Sequence, residues 1–360
     1  INGGQVDWRN FYPHETFVKL IETTLSVLER NQKKSIWVEG AYGTGKSYSA
    51  LTVKKILDEP VDDVREYFEK MGLPKDLLKR VEAAKNNRIL TIHKYGSSFL
   101  NSDLDLITTI QESINQALIK SDMEPHNDTI RENIIDWMSK PRNKKYFDGL
   151  LSEENNSTKI GYESSDDIIS KLKLPEYTTT MLLVQKIIAL SKENNIDIAK
   201  VNTIDKLLRW ITLVIEENNL DSILFVWDEF TEFFKNNKNT LSGFQHVAEL
   251  SEHEPFYFMI VTHKSESFFQ SNEDGKLIFD RFVTPRCQIK LPDNMAFALI
   301  AKALEKKNSN LESDWHNIVS SFSSKLLDSS DSVIKFSSIK QSDLNAILPI
   351  TPYAALMLKY

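Results

Sequence analysis

The sequence predicts an α/β fold built on a five-stranded parallel sheet. Five short apolar runs are separated by segments with helical periodicity, and this alternation is typical of a parallel sheet covered by helices on both faces. The runs occupy residues 35–39, 88–93, 223–227, 256–261 and 287–291. At 360 residues the chain also exceeds the size at which one hydrophobic core usually stops growing, so we expect a second lobe or a large insertion.

Amino-acid composition excludes several classes of protein. Hydrophobic residues make up 41% of the chain and charged residues 26%, which is typical of a globular protein and excludes a disordered or fibrous one. The net charge of −7 excludes a uniformly basic surface of the kind that coats nucleic acid. It does not exclude a local basic groove. The single cysteine excludes an internal disulfide framework, and no apolar run is long enough to span a bilayer. We therefore expect a cytoplasmic protein without a membrane segment.

Helical periodicity divides the chain into four parts. Helical patterns at 14–30, 48–57 and 58–87, the last broken at Gly72-Leu73-Pro74, surround the first two strands. We expect 1–99 to form the amino-terminal part of a core domain, 100–217 a long helical insertion, and 218–292 the rest of the core. Residues 293–360 are predicted to be a helical lobe that the end of the sequence truncates, because the last stretch stops within an apolar helical pattern.

A glycine-rich turn lies between the first predicted strand and the next predicted helix. It fits the pattern Gly-x-x-x-x-Gly-Lys-Ser, and Tyr48 follows it. In such a P-loop, backbone amides surround phosphates, the lysine reaches the β- and γ-phosphates, and the serine hydroxyl binds Mg²⁺. The alternative is a glycine turn that happens to precede a helix, but the position between strand and helix favours a binding site for ATP and Mg²⁺. The predicted nucleotide-binding residues are Gly40, Ala41, Tyr42, Gly43, Thr44, Gly45, Lys46, Ser47 and Tyr48.

Two carboxylates follow the third apolar run. Asp228 and Glu229 stand at its carboxyl end, which is where α/β folds bind ligands. We predict that Asp228 joins Ser47 as a Mg²⁺ ligand and that Glu229 is the base that polarises an attacking water. The alternative is that both acids only stabilise the amino terminus of a following helix.

Four further polar residues are catalytic candidates. Thr262 and His263 end the fourth run, where either could orient a water or contact the γ-phosphate, or simply satisfy hydrogen bonds at a strand end. Arg281 and Arg286 precede the last run, and an arginine from a neighbouring subunit can stabilise a transferring phosphoryl group. Surface ion pairing is the alternative for both, and we prefer Arg281.

Three other patterns carry less information. Residues 241–245, Leu-Ser-Gly-Phe-Gln, are similar to the ABC ATPase signature but follow the two acids, whereas in that family the signature precedes them. Residues 140–147 combine basic and aromatic side chains, and we interpret them as a solvated loop rather than a site for single-stranded nucleic acid. The histidines and the one cysteine show no spacing typical of a zinc site.

Taken in order, these motifs resemble those of AAA+ and STAND ATPases. The loop 40–47 resembles Walker A, residues 223–229 Walker B, Thr262-His263 sensor 1, and Asp280-Arg281-Phe282 an arginine finger. The resemblance covers about residues 8–291 and implies a P-loop NTPase fold with a C-terminal helical lid, in which 352–356 would form the proline-started lid helix. No arginine follows Arg286, so the sensor 2 position of these families is vacant or is taken by a lysine such as Lys359.

Within that class, residues 228–230, 244–250 and 261–264 resemble the ATPase module of large bacterial antiviral proteins such as those of BREX-type systems. The resemblance implies an ATPase that couples its nucleotide cycle to conformational change in an oligomer, either a homo-oligomer or a complex with other defence subunits, acting with nucleic acid or a partner effector. The alternatives are an ATP-dependent signalling or scaffold switch with little turnover and, in the transferase class, a P-loop kinase.

Overall fold

A computed structural model describes most of the chain as far as residue 290. The described residues are 7–31, 34–98, 100–126, 129–153, 155–174, 177–196, 203–236, 241–263 and 285–290, with short pieces at 297, 300–301, 304, 314–321, 345–351 and 354. Arg281 and Lys359 lie outside them, as does most of the predicted lid.

Five strands form one parallel sheet, as the sequence predicts. The strands are β1 (Ile36–Glu39), β2 (Ile89–Tyr95), β3 (Ser222–Asp228), β4 (Phe256–Thr262) and β5 (Arg286–Gln288). Their order across the sheet is β2-β3-β4-β1-β5, and all four neighbouring pairs are parallel. Because every strand runs the same way, all five carboxyl ends lie at one edge of the sheet.

Between residues 7 and 263, the described part of the chain forms thirteen α-helices. They are α1 (Glu15–Leu28), α2 (Lys46–Asp58), α3 (Val61–Met71), α4 (Lys75–Ala84), α5 (Asp103–Lys120), α6 (Thr129–Ser139), α7 (Pro141–Leu151), α8 (Asn156–Ile160), α9 (Ser165–Leu172), α10 (Tyr177–Glu193), α11 (Ile204–Glu217), α12 (Thr231–Asn236) and α13 (Leu241–Glu249). The seven from α5 to α11 lie between β2 and β3, so the described part of the predicted insertion is helical.

Two hydrophobic cores lie on opposite faces of the sheet. Successive side chains of a strand point to opposite faces, and in β4 Phe258 belongs to one core and Met259 to the other. Helices α1 to α4 contribute to the core that contains Met259. Helices α5, α11 and α13 contribute to the core that contains Phe258, together with much of the segment between β2 and β3.

The interpretation of residues 140–147 as a solvated loop is wrong. Helix α7 begins at Pro141, which occupies the first helical turn, where its fixed φ favours a helix and its missing N–H costs nothing. Phe147 is fully buried against the helical segment, and Lys144 pairs with Asp166 at 2.6 Å. Phe147 therefore faces the core, whereas Arg142, Lys145 and Tyr146 are exposed.

The stretch 241–245 is the first part of α13 and has a packing role. Phe244 lies in an aromatic cluster with Phe230 and Phe233, at ring-centroid distances of 4.8 and 5.5 Å. A Cβ at Gly243 would lie 2.5 Å from an Asp103 carboxylate oxygen, so a larger residue here would require the Asp103 side chain of α5 to move. None of the described helices has the length and apolar character needed to cross a membrane.

Candidate functional site

The candidate site lies at the carboxyl edge of the sheet, around the ends of β1, β4 and β3. Helix α2 leaves β1 on one face of the sheet, whereas α13, which follows β3, packs on the opposite face. Where neighbouring connections leave toward opposite faces, a crevice opens above the strand ends, and ligands of α/β proteins bind in such crevices.

The loop from Gly40 to Gly45 depends on glycine at three positions. Gly43 and Gly45 have φ of +77° and +78°, a region that other residues enter at a cost. A Cβ on Gly40 would lie 2.6 Å from the carbonyl oxygen of Ile289. Residue 40 must therefore be glycine for the chain after β1 to pass this close to the chain after β5. The Thr44 hydroxyl donates to the carbonyl of Ala41 at 2.9 Å and closes the turn.

Lys46 is the first residue of α2 and points back into this loop. Its ammonium donates to the carbonyl of Ala41 at 3.0 Å and lies 3.4 Å from Nδ1 of His263, and the residue is 6% exposed. Burial lowers the pKa of Lys46, while the negative charges of Glu229 and Asp228 act in the opposite direction. A dianionic or more highly charged ligand would add to the effect of the two acids and favour the ammonium form.

Ser47 and Asp228 meet across the crevice. The Ser47 hydroxyl donates to Oδ1 of Asp228 at 3.0 Å, and the same oxygen accepts the backbone N–H of Glu229 at 2.9 Å. Asp228 is 3% exposed and projects from the face of β3 that α2 covers. A hydroxyl and a carboxylate are ligands of the kind that Mg²⁺ takes from proteins, together with waters and phosphate oxygens. Among the residues that the structure describes, no three His, Cys, Asp or Glu side chains form a metal cluster.

Glu229 has a left-handed backbone, with φ of +53°. This conformation is uncommon for a residue with a long side chain and costs of order 1 kcal/mol or more. Surrounding hydrogen bonds hold it in place: Ser97 Oγ donates to the Glu229 carbonyl at 3.2 Å, and the N–H of Phe230 donates to Val261 at 3.0 Å. Such strain is commonly found at functional sites.

His263 connects the lysine to the glutamate. Its Nε2 lies 3.5 Å from a carboxylate oxygen of Glu229, and its Nδ1 faces the Lys46 ammonium. Because an ammonium group only donates, Nδ1 accepts and Nε2 carries the proton that faces Glu229. The hydroxyl of Thr231 accepts the His263 backbone N–H at 3.0 Å, and the exposed Tyr42 ring stacks on the imidazole at 6.0 Å.

Thr262 and His263, which are equal candidates in the sequence, have different surroundings in the structure. Thr262 is 3% exposed, and its hydroxyl makes no hydrogen bond. It pairs in register with Glu39 of β1, whereas only His263 contacts Lys46 and Glu229. His263 is therefore the better placed of the two for contact with a ligand.

Arg286 has a partner within its own chain. Its guanidinium lies 2.5 Å from a carboxylate oxygen of Glu39, which is 1% exposed and also accepts from the Gln288 amide at 2.7 Å. This cluster neutralises a buried carboxylate and joins β1 to β5. Arg281, the preferred arginine finger, lies outside the described residues.

The sequence offers little sign of several residues that shape the site. Ser97 follows β2 and contacts both Glu229 and the N–H of Phe233, at 3.2 and 3.0 Å. Thr231 orients His263, as described above. His93 of β2 lies near Asp228. Desolvation lowers the pKa of His93, and the negative charge of Asp228 acts in the opposite direction. In the sequence, only their position indicates a role in the site, because these residues stand at or shortly after the carboxyl end of a predicted strand.

No protein-family model matches the chain, and no curated protein matches it.

Proposed function

We propose that this chain binds ATP with Mg²⁺ at the loop 40–47 and hydrolyses it. The observation that carries the proposal is the contact of Ser47 with Asp228 beside the Lys46 ammonium. A hydroxyl, a carboxylate and an ammonium group suit a metal-bound triphosphate. Ser47 and Lys46 supply two of these groups and the distant Asp228 supplies the third, beside a loop whose conformation requires glycine.

The loop and the start of α2 supply the positive end of the site. Backbone N–H groups of the first turn of a helix have no partner within the helix, and the helix dipole favours an anion there. Lys46 adds a full charge at the same place. Since its present partners are a carbonyl oxygen and an imidazole, both neutral, a phosphate oxygen would be a better partner than either.

Ser47 and Asp228 are the residues that would hold Mg²⁺. Their oxygen atoms already lie 3.0 Å apart in a hydrogen bond, and the set of one hydroxyl and one carboxylate leaves the remaining positions to water and phosphate, as this ion prefers. Mg²⁺, when bound, would neutralise charge on the phosphate oxygens. Asp228 also keeps Glu229 oriented by accepting its N–H.

Glu229 is the proposed general base. Its carboxylate follows the metal ligand directly, and His263 holds it at 3.5 Å. A carboxylate within reach of a water can accept its proton as the water attacks a phosphorus atom. His263 contacts both Lys46 and Glu229, so a phosphate that draws Lys46 away from His263 also changes the environment of the base.

A wider role rests on the sequence resemblance described above. We propose that the nucleotide cycle drives conformational change in an oligomer of AAA+ or STAND type, in bacterial antiviral defence, with nucleic acid or a partner effector. One observation favours the alternative of a switch with little turnover, because the proposed base is already engaged by His263.

The test is ATP turnover by the chain with Mg²⁺, alone and with added DNA or RNA, together with its mass in solution. Turnover that depends on Lys46 and Glu229 supports hydrolysis at this site. Tight ATP binding with negligible turnover under all conditions identifies the switch, and the absence of ATP binding overturns the proposal.

A further inference from the structure

Helix α7 places basic and aromatic residues of the segment 140–147 on the surface of the protein. Lys145, Tyr146 and Gly149 stand three, four and seven residues after Arg142, so these four residues lie on one face of the helix. All four are exposed, and Tyr146 is 52% exposed. We call these four residues the α7 stripe.

The opposite face of α7 holds the stripe in place. Phe147, Leu150 and Leu151 are buried in the core that contains much of the segment between β2 and β3. At the corner between α6 and α7, the Asn143 amide donates to the carbonyl of Trp137 at 3.0 Å. The Trp137 ring meets the Phe147 ring edge-on at 6.2 Å. Because the stripe belongs to a packed helix, little ordering is needed when a partner binds to it.

The stripe carries positive charge in a chain that is negative overall. Residues 137–147 contain four basic side chains and no acidic one, whereas the whole chain has a net charge of −7. One of the four, Lys144, pairs with Asp166 at 2.6 Å. Among the residues that the structure describes, no carboxylate forms an ion pair with Arg142 or Lys145. Two cations of the stripe are therefore available to a polyanion.

Gly149 is a glycine that neither backbone conformation nor packing requires. Glycine inside a helix is destabilising relative to alanine. The backbone of Gly149 is helical and has no positive φ, and a Cβ here would meet no atom within 4 Å. Because helical side chains point toward the amino terminus of the helix, a side chain at this position would lean over the surface next to Tyr146. Glycine leaves that surface uncovered.

We propose that the α7 stripe binds single-stranded nucleic acid. Arg142 and Lys145 contact its phosphates, and an unpaired base stacks on Tyr146 over the surface that Gly149 leaves open. Proteins that bind single strands without sequence preference combine cations along the backbone with aromatic side chains that stack on bases. A duplex offers phosphates but keeps its bases stacked on one another, so Tyr146 adds nothing to its binding. An acidic protein surface would use the two cations but not the uncovered ring.

The inference rests on the proposed function in one respect, because it names the partner with which the nucleotide cycle would act. The stripe shares no residue with the candidate ATP site. Its binding can therefore be measured without nucleotide, and the two proposals can fail separately.

Variants of the full chain test the ring and the charges separately. Tyr146→Ala removes the ring, whereas Tyr146→Phe keeps it. Arg142→Gln combined with Lys145→Gln removes both charges of the stripe. Lys120→Gln combined with Lys186→Gln makes the same change in net charge at exposed lysines of α5 and α10, and serves as the matched control.

Fluorescence anisotropy without nucleotide measures the affinity for an oligothymidylate of about 16 nucleotides, for the matching oligouridylate and for a DNA duplex. We expect the wild type, Tyr146→Phe and the control to bind the single strands alike. Tyr146→Ala should lose about 5- to 100-fold in this affinity, the contribution of one stacked base. The double variant at Arg142 and Lys145 should bind more weakly and with less salt dependence. The slope of log affinity against log salt should fall by about 1.4, since each neutralised phosphate of a single strand contributes about 0.7. Binding of either single strand supports the proposal, and the tighter one identifies DNA or RNA.

Gly149→Gln distinguishes a binding role from a structural one. It should raise the urea concentration at the midpoint of unfolding, because glutamine has the higher helix propensity. It should also lower the affinity for the single strand, because its side chain covers the surface beside Tyr146. A gain in stability with unchanged affinity would overturn the stacking of a base at this place.

A folded Tyr146→Ala chain that binds single strands as tightly as wild type would overturn the proposal, as would a wild type that binds neither single strand. If the chain binds oligothymidylate through the stripe but hydrolyses no ATP, the proposed function fails and the binding surface stands. If the chain hydrolyses ATP but binds no single strand, only the inference about the stripe fails.

Discussion

The Ser47 hydroxyl donates to Oδ1 of Asp228 at 3.0 Å, although 181 positions separate the two residues. The contact joins the first turn of α2 to the carboxyl end of β3, which is not a neighbour of β1 in the sheet. If these two oxygens hold Mg²⁺, Ser47→Ala and Asp228→Asn should each raise the Mg²⁺ concentration needed for half-maximal ATP turnover. The double variant should be less than additive, because both substitutions remove ligands of one ion. Additive effects would show that the residues act separately.

Lys46→Met should abolish detectable ATP binding without lowering the free energy of unfolding. Burial lowers the pKa of Lys46 in the folded chain, so its charge is carried at a cost that an apolar side chain of similar length does not have. Calorimetric titration with ATP and urea unfolding measure the two effects. Lys55→Met in the same helix is the control, since Lys55 is exposed and pairs with Glu59 at the end of the helix. Retained ATP affinity in Lys46→Met would place the nucleotide elsewhere.

Glu229→Gln should retain ATP binding and lose turnover by about 10²- to 10⁴-fold, the usual contribution of a general base. The amide is nearly isosteric with the carboxyl group and keeps the hydrogen bonds of the backbone. The exposed Glu252→Gln should behave as wild type. Phosphate release under saturating ATP checks the prediction, and an unchanged rate would remove Glu229 from the mechanism.

Acid should destabilise the protein in part through His14. Burial lowers the pKa of His14 below its ordinary value of 6.5. The unfolded chain therefore binds a proton at a higher pH than the folded chain does, and stability is lost as the pH falls from about 6.5 toward the lower folded pKa. Urea unfolding at pH 7.5 and 5.5 should show a smaller acid loss in His14→Asn than in wild type or in His253→Asn, which changes an exposed histidine. An equal loss in all three would contradict the prediction.

Arg286 and Arg281 should differ in what they support. Arg286→Ala leaves the buried Glu39 carboxylate without its cation, so we expect a loss of about 3 kcal/mol in stability. Adding Glu39→Gln should recover much of it. Arg281→Ala subunits, when mixed with wild-type subunits, should reduce turnover if Arg281 acts across an interface. Mixed assemblies that lose no activity would exclude that role.

Most of the described architecture could be predicted from the sequence, because apolar periodicity reflects burial directly. The five strands, the helical segment between β2 and β3, and the break between α3 and α4 all follow the pattern of apolar side chains. Residues 140–147 are wrongly predicted to be a loop. Most of them are polar or charged, and the sequence gives no sign that Phe147 is buried.

The candidate site was predictable only in part. The loop 40–47 and Asp228 stand out because the residue types that suggest their roles lie in short runs of sequence. The contacts of His263, Thr231 and Ser97 depend on which strand ends become neighbours, and a strand order is not visible in one sequence.

We propose that ATP is hydrolysed at the loop between β1 and α2. The most direct test is phosphate release from ATP by the full chain with Mg²⁺, measured beside Lys46→Met and Glu229→Gln at equal protein concentration. We expect turnover in the wild type, no binding and no turnover in Lys46→Met, and binding without turnover in Glu229→Gln. Equal phosphate release from all three would show that Lys46 and Glu229 take no part in ATP hydrolysis.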